Sequence, residues 1–402
     1  MKIKKLNLLD ISILQLCIIM IAFNDWSSLA IFSQVIAFGI ICLDCLKKQS
    51  IKISISTGKY IIYKGLFVLW GCTGLVMSAY SQVVSSIIIS LCLRTMTGIT
   101  VLMYIKDNNR RLKFMKHLII AGCVLCARMI IVVPIAAWGT ERVGIYLSHN
   151  PANSYNNTGI TFAIGIIIAF LFYEKEVIKN NKLRILLIII FSIFSLFSGS
   201  KKQIFFIVAS IIVYAICTSK TPLKFVRNLL GIIVSLGILA FLIFKVDALY
   251  NVIGERFLAF LSYFSEQNNS MADASTISRG LYLKDAWRVF KLHPVFGVGF
   301  DCFKYFNVYA SCWAENNFME LLADVGVIGV ILYYLLYVEM IKGLFKRINK
   351  YHHFLDIEIL IVLVCMMIVD FTMVSYANSI LQFHVTFLYA SSSISRLNKR
   401  NS

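Results

Sequence analysis

Apolar residues run along this chain in stretches of about twenty, the length needed to cross a hydrocarbon layer, and short polar breaks separate them. Twelve such spans are legible: Leu8–Phe23, Ser27–Leu46, Tyr60–Met77, Val83–Ile105, Phe114–Ala136, Gly159–Tyr173, Leu183–Phe197, Gln203–Cys217, Val226–Phe244, Leu322–Ile341, Ile359–Val374 and Ile380–Ile394. The pattern predicts an all-α polytopic membrane protein of about twelve transmembrane helices with one large extracytoplasmic loop. Residues 1–244 carry the first nine helices, 245–321 form the loop, and 322–402 hold the last three and a cytoplasmic tail. Within the loop, Ser278 to His293 reads as an amphipathic helix. Leu283, Trp287 and Phe290 recur at helical spacing, while Lys284, Asp285, Arg288 and Lys291 take other faces.

Composition agrees with this pattern. The 402 residues are 59% hydrophobic and only 15% charged, which excludes an ordinary soluble enzyme and a disordered chain. A net charge of +19 would point a soluble protein toward nucleic acid. Here the cations instead gather in alternate polar segments, such as Lys47 to Lys64, Lys106 to Lys116, Lys175 to Arg184 and Lys342 to Lys350. That alternation records topology, with both termini cytoplasmic, and no nucleic-acid partner is expected. The first span follows Lys2, Lys4 and Lys5 like a signal peptide, but Asn24, Asp25 and Trp26 lead straight into another span, so it is expected to stay as a helix.

The cysteines sit mostly within spans, and the pairs Cys42/Cys45 and Cys123/Cys126 fit apolar packing better than zinc. Cys302 and Cys312 share the loop, where a disulfide is permitted but not expected. Two cations interrupt spans. Arg94 and Arg128 either bind an anion inside the bundle or are satisfied structurally, Arg94 by carbonyls or an acid such as Asp370 and Arg128 by snorkelling outward.

Outside the spans, three polar patches are candidates for chemistry. Thr140 to Asn153 holds Arg142 and His149; Ser198 to Lys202 is a tight outer turn with Lys201 and Lys202 where topology favours no cations; the loop is the third. In the loop, Arg279 falls at the expected helix N-terminus, where an anion is welcome. His293-Pro294 to Gly299 is a tight turn in which His293 is structural. Glu315, Asn316 and Asn317 precede the tenth span, and helix capping accounts for one of the three.

In this order and topology, the stretches Arg142–Asn153, Ser198–Lys202, Arg279–Gly299 and Ala314–Gly329 resemble the O-antigen ligase and repeat-unit polymerase family of bacterial envelope glycosyltransferases, with a GT-C-like architecture. The likeness is sharpest from Ser275 to Gly329. It implies transfer of a sugar chain from a polyprenyl diphosphate carrier to an acceptor hydroxyl at the outer face of the bacterial cytoplasmic (inner or plasma) membrane, with inversion and without a metal, cofactor or nucleotide sugar. Partners would be carrier-linked donor and acceptor, membrane lipid, and a flippase and chain-length regulator. Cations must stabilise the departing diphosphate, which assigns Arg142, Arg279 and Lys201 or Lys202; Asn316, Asn317 and Arg128 join the substrate-binding set.

The family usually has His then Asn where this chain has Glu315 and Asn316, and Arg where it has Lys201. The base that takes the acceptor proton is therefore Glu315, or His149 from another loop, or the acceptor sits differently. Glu315 is favoured. Polymerisation of the repeat units of a capsule or other surface polysaccharide is preferred over ligation of a finished glycan. A twelve-span transporter or flippase and an inactive scaffold are the rivals.

Overall fold

The computed structural model describes residues 7–47, 54–147, 151–170, 177–219, 221–255, 258, 274–351 and 354–394. Among them every regular element is helical. The principal helices are α1 (Leu8–Ala22), α2 (Ser27–Lys47), α3 (Ile55–Gly71), α4 (Thr73–Met77), α5 (Ser81–Tyr104), α6 (Asn108–Val132) and α7 (Pro151–Phe170). They continue with α8 (Asn181–Phe197), α9 (Lys201–Thr218), α10 (Pro222–Lys245), α11 (Ala274–Leu292), α12 (Asn317–Tyr351), α13 (Phe354–Val369) and α14 (Ser379–Ile394). Among the described residues each apolar stretch found in the sequence overlaps a helix, although Phe114–Ala136 and Ile359–Val374 run past the helix ends at Val132 and Val369, and the last residues of Gly159–Tyr173 lie outside the described residues.

The starts follow local chemistry. Asn7, Ser54, Asp107, Asn180 and Thr221 each accept a backbone N–H from the first turn of the helix that follows, and Pro222 opens α10 where its missing N–H costs nothing. Among the described residues six helical segments are long and apolar enough to cross a membrane: α2, α3 with α4, α5, α6, α10 and α12. Their outward faces are greasy. Val76, Ile131 and Leu223 are 89%, 82% and 81% exposed. Left in water, each large apolar side chain forfeits roughly 1.5–3 kcal/mol of burial free energy, so the outer surface suits lipid, and the chain is an integral membrane protein.

Two close approaches set the interior. A methyl group on Gly98 would fall 2.0 Å from the Tyr60 hydroxyl, so α5 meets α3 without a side chain between them. Tyr60 in turn shares a hydrogen bond with Thr386 of α14. Phe67, Phe300, Tyr333 and Tyr376 pack ring against ring between α3, α12 and the segment before α14.

The sequence predicted a helix entered at Leu322; α12 instead begins at Asn317 and is interrupted at Gly326, whose φ of 68° and ψ of −175° are non-helical. The turn after α11 fills the interruption. Val298 N–H donates to the Ala323 carbonyl at 2.9 Å, Gly299 N–H to Asp324 at 2.8 Å, and Val327 N–H to Pro294 at 2.9 Å. Carbonyls and amides freed by the break are thus paired, as a buried backbone requires. Gly297 and Gly326 are both in the left-handed region, and a Cβ on either would lie 2.3 Å or closer to backbone of the other segment. The glycines that read as a turn are there because two main chains touch.

Candidate active site

Glu315 is the centre of the arrangement. It precedes α12 with a φ of 55°, and Asp301 has 60°; among the described residues these are the non-glycine positions with positive φ. Such conformations cost on the order of 1 kcal/mol or more and persist where surrounding structure enforces them. Both residues line one cavity of about 160 Å³, together with Ile87, Asn156, Trp313 and Asn378.

Each outlier has an identifiable restraint. Asp324, buried about two turns into α12, accepts N–H groups from Asp301, Cys302 and Phe303 and the Tyr376 hydroxyl at 2.7–3.2 Å. The Asp301 carboxylate accepts from Trp313 Nε1 at 2.5 Å and from Lys304 Nζ at 2.7 Å. Burial works against the Lys304 ammonium, yet its hydrogen bond to Asp301 holds it above the usual lysine value. On the other side of Glu315, the buried Glu320 accepts the Ala314 N–H at 2.6 Å.

Cations from two distant parts of the chain meet Glu315. Lys202 Nζ lies 3.1 Å from its Oε2 and Arg279 Nη2 3.8 Å from the same oxygen. Lys202 is nearly buried, its side chain 9% exposed, whereas Arg279 is 41% exposed. α11 begins at Ala274, four residues before the sequence-based start, so Arg279 stands in its second turn rather than at its N-terminus. Its side chain, not the helix terminus, is what reaches Glu315. Tyr282, one turn further, fixes this helix against the same loop: its hydrogen bond to Cys312, with burial adding, raises the phenol above its ordinary value.

Arg142 packs on the turn before Lys202. Gly199 adopts a φ of 76°, and a Cβ there would overlap the Arg142 side-chain stem at 2.5–3.0 Å. The stem therefore lies on the turn that leads into α9 and Lys202. That turn is tied to α7 as well, because Ser200 Oγ donates to Asn156 Oδ1 at 2.8 Å and Asn156 lines the cavity of Glu315. Lys201 opens α9, and its side chain lies outside the described residues, as does all of His149.

The two asparagines have structural partners. Asn316 Oδ1 accepts the Met319 N–H at 3.0 Å, making it the cap of α12, while its Nδ2 donates to Phe371. Asn317 is fully buried; its Oδ1 accepts the N–H groups of Ser375 and Tyr376 and its Nδ2 donates to the Tyr334 hydroxyl. Arg94 donates to Ser379 Oγ and the Tyr376 carbonyl, and Asp370 accepts instead from Tyr334. Arg128 pairs with Asp25 through two bonds of 2.7 and 2.9 Å and faces a separate cavity. Cys302 and Cys312 are both free thiols.

Residues 185–334 match the family model described as O-antigen ligase. Over those residues the chain is similar to the O-antigen ligase family. The matched segment runs from α8 to the middle of α12, so it contains Lys202, Arg279, Asp301 and Glu315; Arg142 and Arg128 fall outside it. Glycan transfer in envelope polysaccharide synthesis is what this domain supports, with lipid-linked glycans as the substrate class. No curated protein matches the chain.

The sequence had not singled out Asp301, Trp313, Asn156 or Asn378. Asp301 had one signal, its place directly after the Gly297–Phe300 turn; the others come from three separate segments that only folding brings together.

Proposed function

We propose that this protein polymerises polyprenyl-diphosphate-linked oligosaccharide repeat units of a surface polysaccharide, working as a twelve-span protein with the cavity of Glu315 at the outer face of the cytoplasmic membrane. The observation that carries the reading is the meeting of Lys202 and Arg279 on one oxygen of Glu315, inside the matched domain. A carboxylate alone would repel a diphosphate; two cations beside it give the anion a place, and a nearly buried ammonium holds it more strongly than an exposed one.

In this mechanism Lys202, Arg279 and Arg142 bind the donor diphosphate. As it takes the two cations, Glu315 is left with an oxygen turned to the cavity. The acceptor hydroxyl attacks the anomeric carbon from the side opposite the diphosphate, and the C–O bond to phosphate breaks with inversion. Glu315 receives the hydroxyl proton, and the carrier diphosphate leaves with the bonding pair, its charge stabilised by the cations. Asp301 and Trp313 shape the acceptor side. His149 takes no step in this account, and Asn316 and Asn317 act by holding the cavity wall.

The test compares Glu315→Gln and Glu315→Asp in a strain lacking the chromosomal copy. Loss of a general base costs about 10²–10⁴-fold in rate, so Glu315→Gln should abolish long polymer while single carrier-linked repeats accumulate. Intact long chains stranded on the carrier would instead mark a ligase. Normal polymer from Glu315→Gln would remove the base assignment.

A further inference from the structure

A second cavity of about 240 Å³ lies beside the one that Glu315 faces. A water needs roughly 10–15 Å³ of such space, so it has room for a ring-sized solute. Ala377 and Asn378 line both cavities, and neighbouring residues of α7 divide between them, Asn156 facing the first and Asn157 the second. The partition is held by Asn378 Nδ2, which donates to Asn157 Oδ1 at 2.6 Å.

The lining identifies the chemistry. Arg128 was a candidate anion site, but its guanidinium is spent on both oxygens of Asp25 at 2.7 and 2.9 Å and on the Leu147 carbonyl at 3.1 Å. The pair is neutral and nearly buried, 12% and 10% exposed. An entering phosphate would meet the Asp25 carboxylate together with the cation. The remaining polar groups, Asn24, Asn157, Thr158, Asn378 and Ser379, are amides and hydroxyls, each able to donate and accept. Neutral groups of this kind, alongside a fixed ion pair and an apolar wall, match the alternating hydroxyls and C–H faces of a sugar.

We propose that this cavity is an acceptor subsite, binding a neutral sugar residue next to the one whose hydroxyl reaches Glu315. The inference rests on the polymerase reading. The acceptor is chosen because Glu315 faces the first cavity while the cations Lys202 and Arg279 are not among that cavity's walls, so the acceptor enters there and its chain continues across the Asn157–Asn378 partition.

The experiment uses the full chain in lipid nanodiscs with carrier-linked repeats from a deletion strain as donor and the repeat-unit oligosaccharide, released by mild acid, as acceptor. In Asn24→Leu and Thr158→Leu, loss of one hydrogen bond to a ligand and narrowing of the cavity should raise the acceptor KM about tenfold or more. The kcat and the donor KM should stay near wild type, and Thr158→Ser should restore the acceptor KM. As a measurement independent of variant folding, a photoreactive oligosaccharide should label the wild-type peptides around Asn24 and Asn378. Wild-type coupling with an unchanged acceptor KM in both leucine variants, or labelling elsewhere only, overturns the subsite alone. Failure of the wild type to couple repeats overturns the polymerase reading and the subsite with it.

Discussion

The Nζ of Lys202 stands 3.1 Å from Oε2 of Glu315, across 113 residues of sequence. Because the ammonium is nearly buried, the pair cannot be treated as a surface ion pair of negligible strength. Under the proposed mechanism Lys202→Met removes a cation from the donor side. It should lower kcat/KM for carrier-linked donor by about 30-fold or more, the equivalent of roughly 2 kcal/mol or more for truncating one member of a desolvated charged pair. Lys202→Arg keeps the charge and should recover part of that loss. Initial rates against donor concentration decide it; a change in the acceptor KM alone would place Lys202 on the wrong substrate.

The glycines of the interrupted helix predict a stability effect separate from catalysis. A methyl on Gly326 would fall 2.1 Å from the Val295 carbonyl oxygen, and the residue sits at a φ of 68°. Backbone cannot step aside as a flexible side chain does, and a left-handed L-residue costs about 1–2 kcal/mol before any overlap. Gly326→Ala should therefore lower the melting temperature and the folded yield, whereas Gly231→Ala, with open space around it, should change neither. Detergent thermal-shift and size-exclusion profiles would show the contrast.

These two cases show what the chain discloses. Apolar runs name helices because hydrophobicity is local, and caps such as Asp107 and Thr221 name their starts. Lys201 and Lys202 stood out because they defied topology. Glu315 stood out because a charge at a helix entrance is conspicuous in so oily a sequence. What sequence did not disclose is pairing at a distance. Asp25 and Arg128 are 103 residues apart, and nothing in either segment names the other. The break at Gly326 was equally hidden, since Gly within an apolar run is tolerated by helices and by interruptions alike. The longer extent of α11 escaped for a local reason: Ser275 and Thr276, just before the predicted start at Ser278, are weak helix formers, yet they lie in the helix.

Adjacent asparagines at the start of α12 should respond differently. Asn316 caps the helix through the Met319 N–H, so Asn316→Ala should cost about 1 kcal/mol and leave the acceptor and donor KM values unchanged. Asn317→Ala leaves the Ser375 and Tyr376 N–H groups without their buried acceptor. Each unsatisfied buried group costs about 1–3 kcal/mol. The larger drop in melting temperature should thus come from Asn317, and its activity loss should follow the folded fraction. A raised substrate KM in Asn316→Ala at full stability would instead give that side chain a direct role.

The Asp25–Arg128 pair supplies a test of neutrality. Removing one member of a buried ion pair strands a charge at a cost of about 3–5 kcal/mol, partly offset here by the carbonyls of Ala22 and Leu147 that Arg128 also reaches. Asp25→Asn should accordingly destabilise, and Arg128→Met should do the same by stranding the carboxylate. The double variant should be more stable than the sum of the two single losses, since neither charge is then left alone. Thermal unfolding of the four proteins closes the cycle. Additive losses would mean that the two groups contribute independently, and the cavity would then have to be treated as holding a separate anion and cation rather than a neutral pair.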